Sequence, residues 1–455
     1  MLPKLQPVRG THDILPDEFE KFHAVVTLAR ELATLYGFRE MVTPIFEAIE
    51  VFSRSMGETS DVVAKEMFTF QTKGNESVTL RPEFTAGIVR AFLSNGMQQH
   101  LPLKLFSTGP LFRYERPQKG RQRQFHQVNF EWLGDGSVAA DVEVICIAGH
   151  LLASLSGNKG CTLLINTLGD KESRVKYREA LVEYLTPYTK ELSEDSQRRL
   201  TTNPLRILDS KNSQDQKITE NAPVIKHYLS DSAKQRFDTV CQSLIQKDMP
   251  FLQDVKPTPS LVRGLDYYTD TVFEFVAEVG ELGAQSTVLA GGRYDGLVEH
   301  MGGKSTPAIG FAAGIERLLL LTQNFEWKKN KNIKITILPF EEITLRDSLL
   351  VAAVLRSTLY NLSQKSSAKW HAVVEILRQG NLSKRLARAA EQGAHFVVIL
   401  GEEEIKREAL IIKNMKTGTQ SEIPATAIMN QNNLIDLFNI TELDPGLRRD
   451  DKGHQ

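Results

Sequence analysis

Apolar residues recur at helical spacing between residues 17 and 35 (Phe22, Val25, Val26, Leu28, Ala29, Leu32, Leu35) and stop at Gly37. This pattern predicts an amphipathic helix with a glycine stop. A strand-like pair, Met41-Val42, is cut short by Pro44, and short strands and helices then alternate to about Gly169. Residues 172–258 differ: they are polar, charged, helical in period and rich in Lys, Glu and Gln. Because they separate two β-rich blocks, 1–171 and 259–325, they are expected to form a helical insertion within one α+β domain. In the second block the run from Asp270 to Val276 alternates as a strand does, and a helix is expected from Gly314 to Leu321. Residues 326–332, with Lys328, Lys329 and Lys331, read as a linker. Beyond it the pattern is strand 333–338, helix 344–360, strand 371–376, helix 381–392 and strand 396–400. That order predicts a small α/β domain, 333–440, with a partly parallel sheet. Residues 441–455 lack apolar periodicity and are expected to be a disordered tail.

Composition changes this picture little. The 455 residues are 41% hydrophobic and 24% charged, with a formal net charge of −1. That suits two to four globular domains. A nucleic-acid partner would have to meet local basic patches, because the whole molecule has no basic field. Cys146, Cys161 and Cys241 show no Cys-x-x-Cys spacing, which argues against a disulfide framework or a thiolate zinc site. The N-terminus shows neither an apolar signal region nor an Arg/Ser-rich transit pattern, and no apolar stretch reaches about 18 residues. A cytoplasmic location without a membrane span is expected.

Four stretches carry candidate chemistry. Gly109 to Glu131 holds Arg113, Arg116, Lys119, Arg121 and Arg123 between two strand-like segments, a concentration of donors suited to phosphate oxygens. Leu261 to Phe275 sets Arg263 and Asp266 before Tyr267 and Tyr268. Ala290-Gly-Gly-Arg-Tyr-Asp-Gly296 and Pro307 to Arg317 are rich in small residues, which let a ligand approach the backbone. Gly302-Gly-Lys-Ser305 hints at a phosphate loop, but the full pattern needs Gly at 298, where Val298 stands. Each residue also has a plain structural reading. The basic stretch could be a solvated hairpin, and Glu83 a carboxylate at a helix N-terminus. Glu131 could face solvent from a strand, and Tyr268 and Tyr294 could be half-buried strand tyrosines.

Together the four stretches resemble the class II aminoacyl-tRNA synthetases, and within them the bacterial histidyl-tRNA synthetase family. Phe112-Arg-Tyr-Glu115 with Arg121-Gln-Arg-Gln-Phe125 is similar to class motif 2, Gly310 to Arg317 to motif 3, and Pro44 to the proline of motif 1. Arg263-Gly-Leu-Asp-Tyr-Tyr268 and Ala290 to Gly296 resemble the two histidine-specific sequences, and Asn203 to Lys211 the family's inserted domain. The resemblance implies a catalytic domain with an antiparallel sheet flanked by helices, a C-terminal anticodon-binding domain and a homodimer. It implies activation of L-histidine by ATP, then transfer to the 3′ end of tRNA(His), with Mg²⁺ accompanying ATP and no dedicated protein metal site.

The same resemblance assigns roles. Arg113 and Arg263 would be catalytic, meeting the α-phosphate and the histidine carboxylate. Glu115 would face the adenine amino group, with Phe125 and Arg317 on either side of the ring, Arg317 also reaching the γ-phosphate, and Arg121 on the β/γ-phosphates. Glu83, Thr85 and Gln127 would receive the α-ammonium. Glu131 and Tyr268 would bracket the imidazole, with Tyr267 and Tyr294 completing the pocket. Gln118 and Arg123 would touch the extra 5′ guanosine of the tRNA. Lys384, Arg385 and Arg388, taken as one face of helix 381–392, would meet its phosphates. A non-catalytic relative, the regulatory subunit of ATP phosphoribosyltransferase, is the principal rival. It usually lacks the C-terminal domain and the catalytic arginine pattern, and this chain has both.

Overall fold

The expected first helix is α1, Pro16–Leu35. Pro16 occupies its first turn, where a missing N–H costs nothing, and Asp17 and Glu18 favour the positive end of the helix dipole. Val25, Val26, Ala29, Leu32 and Ala33 form its buried face. The computed structural model describes residues 4–57, 60, 62–117, 121–157, 161–245, 251–252, 254–262, 267–277, 287–324, 331–340, 345–365 and 370–442. The chain divides into two compact units, Met1–Glu326 and Trp327–Gln455.

In the first unit α1 is followed by β1 (Arg39–Glu40), β2 (Phe46–Ala48), α2 (Ile49–Met56), β3 (Thr69–Gln71), β4 (Ser77–Leu80) and α3 (Thr85–Ser94). Then come β5 (Leu103–Phe112), β6 (Gln124–Leu133), α4 (Val138–Ser156) and β7 (Cys161–Thr167). Four helices, α5 (Lys171–Leu185), α6 (Glu194–Thr202), α7 (Ser213–Thr219) and α8 (Asp231–Ile245), lie between β7 and β8 (Val255–Pro257). The unit closes with β9 (Thr269–Ala277), β10 (Thr287–Arg293), α9 (Leu297–His300), β11 (Ala308–Gly314) and α10 (Ile315–Leu320).

Eight strands make one sheet in the order β1-β5-β6-β11-β10-β9-β7-β8. It is antiparallel from β5 to β7, but both edge pairs, β1 with β5 and β7 with β8, run parallel. The six central strands are thus antiparallel as expected, and the parallel pair added at each edge makes the whole sheet mixed. The edge pairs join segments far apart in sequence, which local periodicity does not encode. On one sheet face Phe130 stacks on Phe311, ring centres 4.7 Å apart, with Phe106 and Phe38 packed beside them. Ser137 caps α4 by accepting from Ala140 N, and Val144, Ile145, Ile147, Leu151 and Leu152 of this helix are buried. Among the described residues α4 is the one helix long and apolar enough to cross a membrane, and it is packed as a core helix.

The helices α5 to α7 and the turns between them have their own small cores. Leu185, Leu192, Leu200, Ile207 and Ile218 form one, and Tyr177, Leu181 and Ile225 another. The carboxylate of Asp215 ties three turns together, accepting from the hydroxyls of Ser193, Ser196 and Ser210 at 2.6 Å each.

The second unit contains β12 (Lys331–Pro339), α11 (Leu345–Lys365), β13 (Trp370–Ile376), α12 (Leu382–Glu391), β14 (Phe396–Leu400), α13 (Glu402–Lys406), β15 (Ala409–Asn414), β16 (Gln420–Pro424) and α14 (Gln431–Leu437). Its sheet order is β13-β12-β14-β15-β16. The first three strands are parallel, as the βαβαβ pattern predicts, and an antiparallel hairpin extends the sheet. β12 begins at Lys331, inside the expected linker, of which 326–330 lies outside the described residues. The expected tail lies outside them from 443 onward, while Ile440–Glu442 still forms a turn with Ile440 buried.

Candidate active site

Strand alternation builds the site's floor. Gln127, Asn129 and Glu131 share one face of β6. Opposite them on β11 stand Gly314, Ala312 and Gly310, and Ala290 and Gly292 of β10 continue the row. Small residues thus fill one face of the two strands beside Glu131, while the alternate positions, Phe130 and Phe311, pack as core. A Cβ at Gly310 would lie 1.7 Å from Glu131 Oε2, and one at Gly292 would lie 2.9 Å from Tyr268 Cδ1. Glycine leaves the space these two side chains occupy.

Glu131, expected to read the imidazole, is 1% exposed. Its Oε1 accepts from Thr85 Oγ1 at 2.5 Å and from Asn129 Nδ2 at 3.0 Å, and its Oε2 accepts from the Tyr294 hydroxyl. Burial pushes its carboxyl up to about 7 against the opposing pull of those hydrogen bonds, and the Glu83 charge adds to the push. Glu83 accepts from Thr85 N at 2.6 Å and Ala86 N at 2.8 Å, so it stands at the N-terminus of α3. Burial raises its carboxyl too, and these bonds and the Arg113 charge oppose the rise. The helix-end reading and the pocket reading of Glu83 therefore describe one position. Tyr267 lies between Tyr268 and Tyr294, with ring centres 4.7 Å and 5.6 Å away. Burial holds the Tyr267 and Tyr294 hydroxyls well above their ordinary range, so both stay protonated donors. Aromatic walls around hydroxyls and a carboxylate suit a small flat ring that carries one N–H and one acceptor nitrogen.

Cations gather along the motif 2 strands. Arg113 Nε donates to Pro82 O at 3.0 Å, and its guanidinium carbon lies 5.4 Å from the centre of the Phe125 ring. Glu115 sits between two arginines, with Arg121 Nη1 at 3.0 Å and Arg113 Nη1 at 3.9 Å. Arg317 donates to Thr287 O at 2.6 Å. Burial first, and then the nearby Arg121 charge, hold its guanidinium below the ordinary range, with Glu115 opposing and Arg113 adding to the effect. Three guanidiniums thus face one another across Glu115. Guanidiniums gathered in this way suit an anion with many oxygens.

Most of the predicted site residues come together here, and Gln127 completes the row on β6. Arg263 and Gln118 lie outside the described residues. Arg123 is engaged within the fold, its guanidinium carbon 3.9 Å from the Tyr114 ring centre and its Nη1 donating to Arg9 O at 3.4 Å. Arg385 corrects an expectation. It is 5% exposed and donates to the carbonyls of Pro339 and Leu377, while Lys384 and Arg388 are exposed. The reason is helical spacing: Leu382, Arg385, Leu386 and Ala389 are three, one and three residues apart and form one stripe. Two contributors were not singled out. Asn129 supports Glu131, a role legible from its place midway between Gln127 and Glu131 in the strand alternation. Arg81, 3% exposed, donates to Thr43 O at 2.8 Å and Pro110 O at 3.0 Å and so joins the Pro44 segment to β5. No local pattern marks that contact.

An eight-stranded mixed sheet with helices, a glycine-floored pocket and a converging arginine set define the catalytic fold of a class II aminoacyl-tRNA synthetase. The protein-family model described as histidyl-tRNA synthetase matches residues 10–318, and that described as anticodon binding domain matches 353–431. The histidine–tRNA ligase of Rickettsia bellii is 48% identical over 417 residues, covering 91% of this chain and 95% of the relative. That of Gluconobacter oxydans is 46% identical over 420 residues, covering 92% and 96%. The crystal structure of the apo histidyl-tRNA synthetase of S. aureus aligns with a TM-score of 0.74 at 33% identity, covering 94% of this chain and 99% of that one. The chain belongs to the histidyl-tRNA synthetase family, and it is a ligase that forms aminoacyl-tRNA.

Proposed function

We propose that the pocket over β6, β10 and β11 binds L-histidine beside ATP, and that the chain joins the two before passing histidine to tRNA(His). The observation that carries this is the buried Glu131, linked to Thr85, Asn129 and Tyr294 at the end of a glycine floor. The histidine carboxylate attacks the α-phosphorus of ATP, forming a carboxyl–phosphate anhydride and releasing pyrophosphate. The 3′ hydroxyl of the tRNA then attacks the histidyl carbonyl and AMP leaves. The nucleophile of the first step is already ionised, so it needs no base. Arg113 and Arg263 supply positive charge where it builds on the α-phosphate oxygens. Glu83, Thr85 and Gln127 take the α-ammonium, while Glu131, Tyr268, Tyr267 and Tyr294 enclose the imidazole. Glu115 and Phe125 take adenine, and Arg121 and Arg317 the outer phosphates. The donors at the phosphate end are guanidiniums around one engaged carboxylate, which suits phosphate oxygens. Mg²⁺ would be carried there on the β/γ-phosphates.

The second unit is the tRNA reader, with Lys384 and Arg388 on phosphates, while Gln118 and Arg123 serve the acceptor end. Residues 1–171 and 259–325 form the catalytic domain around the insertion 172–258. The working enzyme is a cytoplasmic homodimer. Leu35, Val42, Ile45 and Phe46, all exposed on the segments that flank β1 in the chain, are the apolar surface a second copy would cover. Exchange of labelled pyrophosphate into ATP, run with each of the twenty amino acids, tests the assignment. Exchange with histidine alone supports it, and no exchange despite histidine binding would favour a regulatory relative. Sedimentation at micromolar concentration tests the dimer.

A further inference from the structure

Arg293 and Tyr294 are neighbours in sequence that point to different partners. The two alternate in facing along the end of β10, and the register irregularity beside them falls on β9, where Gly292 pairs with Val272 and Arg293 with Thr269. Tyr294 turns to Glu131. Arg293, fully buried, turns to α4, where Nε and Nη2 donate to Asp141 Oδ1 at 2.8 Å and 2.5 Å. Its Nη1 donates to Asp135 O at 3.1 Å and to Asp295 Oδ1 at 3.0 Å. The second oxygen of Asp141, also fully buried, is taken by the helical insertion. Arg236 of α8 donates Nη2 to Asp141 Oδ2 at 2.7 Å and Nη1 to Gly136 O at 2.8 Å. Thr271 Oγ1 donates to the same carboxylate oxygen at 3.0 Å.

The charges in this cluster make Arg236 more than a surface contact. Asp135, Asp141, Asp295 and Asp270 lie around Arg293, and Arg236 is a second cation beside Asp141 and Asp270. Without it, the buried Arg293 guanidinium faces these four carboxyls, and the buried side of Asp141 loses a charged partner. The resulting shift would fall on Arg293, whose backbone is continuous with Tyr294.

We infer that Arg236 is a positioning residue for the histidine pocket: through Asp141 and Arg293, the inserted helices fix the end of β10 from which Tyr294 reaches Glu131. This inference rests on the reading of Glu131 and Tyr294 as part of the histidine site. Because coupling between two sites is reciprocal, histidine in the pocket and α8 docked on α4 stabilise each other.

Pyrophosphate exchange by the full-length protein tests it, comparing wild type, Arg236→Met and Arg236→Lys. Methionine keeps the packing of the stem and removes the charge. Arg236→Met is expected to raise KM for histidine about 3- to 10-fold and leave KM for ATP unchanged, with lysine restoring part of the loss. In hydrogen exchange, histidine should slow the α8 amides of wild type and leave those of Arg236→Met unaffected. An unchanged KM for histidine overturns the inference, and so does an equal rise in both KM values with a lowered Tm, which would make Arg236 a fold contact alone. Tyr294→Phe, run alongside, separates the causes. If it raises KM for histidine while Arg236→Met does not, the pocket stands and the coupling fails. If Tyr294→Phe also leaves KM for histidine unchanged, the pocket reading fails and the coupling falls with it.

Discussion

Gly310→Ala should damage histidine recognition through a single methyl group. The new Cβ would lie 1.7 Å from Glu131 Oε2, 2.4 Å from Phe130 O and 2.5 Å from Glu131 Cδ. Real Cβ contacts essentially never fall under 3.0 Å. The Phe130 carbonyl must therefore give, which distorts the β6–β11 ladder beside the pocket, and the Glu131 carboxylate must move by more than about one ångström. That shift breaks or stretches its bonds from Tyr294 and Thr85. A hydrogen bond to a charged group contributes about 1.5–3 kcal/mol, and about 1.4 kcal/mol is tenfold in affinity. KM for histidine should therefore rise about 10- to 100-fold in pyrophosphate exchange, and KM for ATP much less. Overpacking should also lower stability by about 1–3 kcal/mol, which thermal unfolding would read separately. A folded variant with KM for histidine within about twofold of wild type would refute the reasoning.

Further outcomes follow from the site and from the second unit. Arg317→Ala should lower the exchange rate about 10²- to 10³-fold, and Arg317→Lys should restore little because the planar fork is lost; a near-normal rate in either variant would remove Arg317 from the phosphate site. Glu131 has its carboxyl pushed up to about 7 from 4.5, so the folded state holds a proton that the unfolded chain releases between those values. Its contribution to stability is present below about 4.5 and lost as pH rises through about 7; the Tm of wild type relative to Glu131→Gln should therefore rise as pH falls from 8 to 5, and a flat difference would contradict this. Arg385→Ala should destabilise the second unit by about 1–3 kcal/mol by leaving the Pro339 and Leu377 carbonyls short of a donor. Lys384→Ala and Arg388→Ala should instead weaken tRNA binding and each reduce its salt slope by about one; tRNA filter binding over a salt series, paired with unfolding curves, would expose a reversal of these roles.

The site was legible wherever one segment carries both the chemistry and its support. Gln127, Asn129 and Glu131 alternate on a single strand, and the glycines of β10 and β11 announce close approach. Long-range pairings were not legible. Asp141 and Arg236 each read as an ordinary charged residue, Arg293 stands in the stretch 290–296 without a visible partner, and their meeting is set by the docking of α8 on α4. The parallel edge pairs escaped for the same reason, since β1 is two residues long and takes its partner from a strand far along the chain. Arg385 was misplaced because charge was given more weight than angular position on the helix. Its apolar stem lies along the buried stripe and its head finds carbonyls, an arrangement that composition does not signal.

The parallel pairing of β7 with β8 has a kinetic side. Everything from residue 168 to 254 lies in the loop that this pair must close. Closing a flexible loop costs about 0.6 kcal/mol more for each doubling of length, so the equilibrium penalty over a minimal crossover of about a dozen residues is only about 2 kcal/mol. The burden falls on rate, because distant ends meet rarely while the chain between them is loose. Collapse of the small cores of α5 to α7 before the sheet closes would shorten that chain. Pulse-labelled hydrogen exchange during refolding should find their amides protected before those of β7 and β8. On that order of events, the helices interrupting the sheet also act as the spring clip that brings its far edge together.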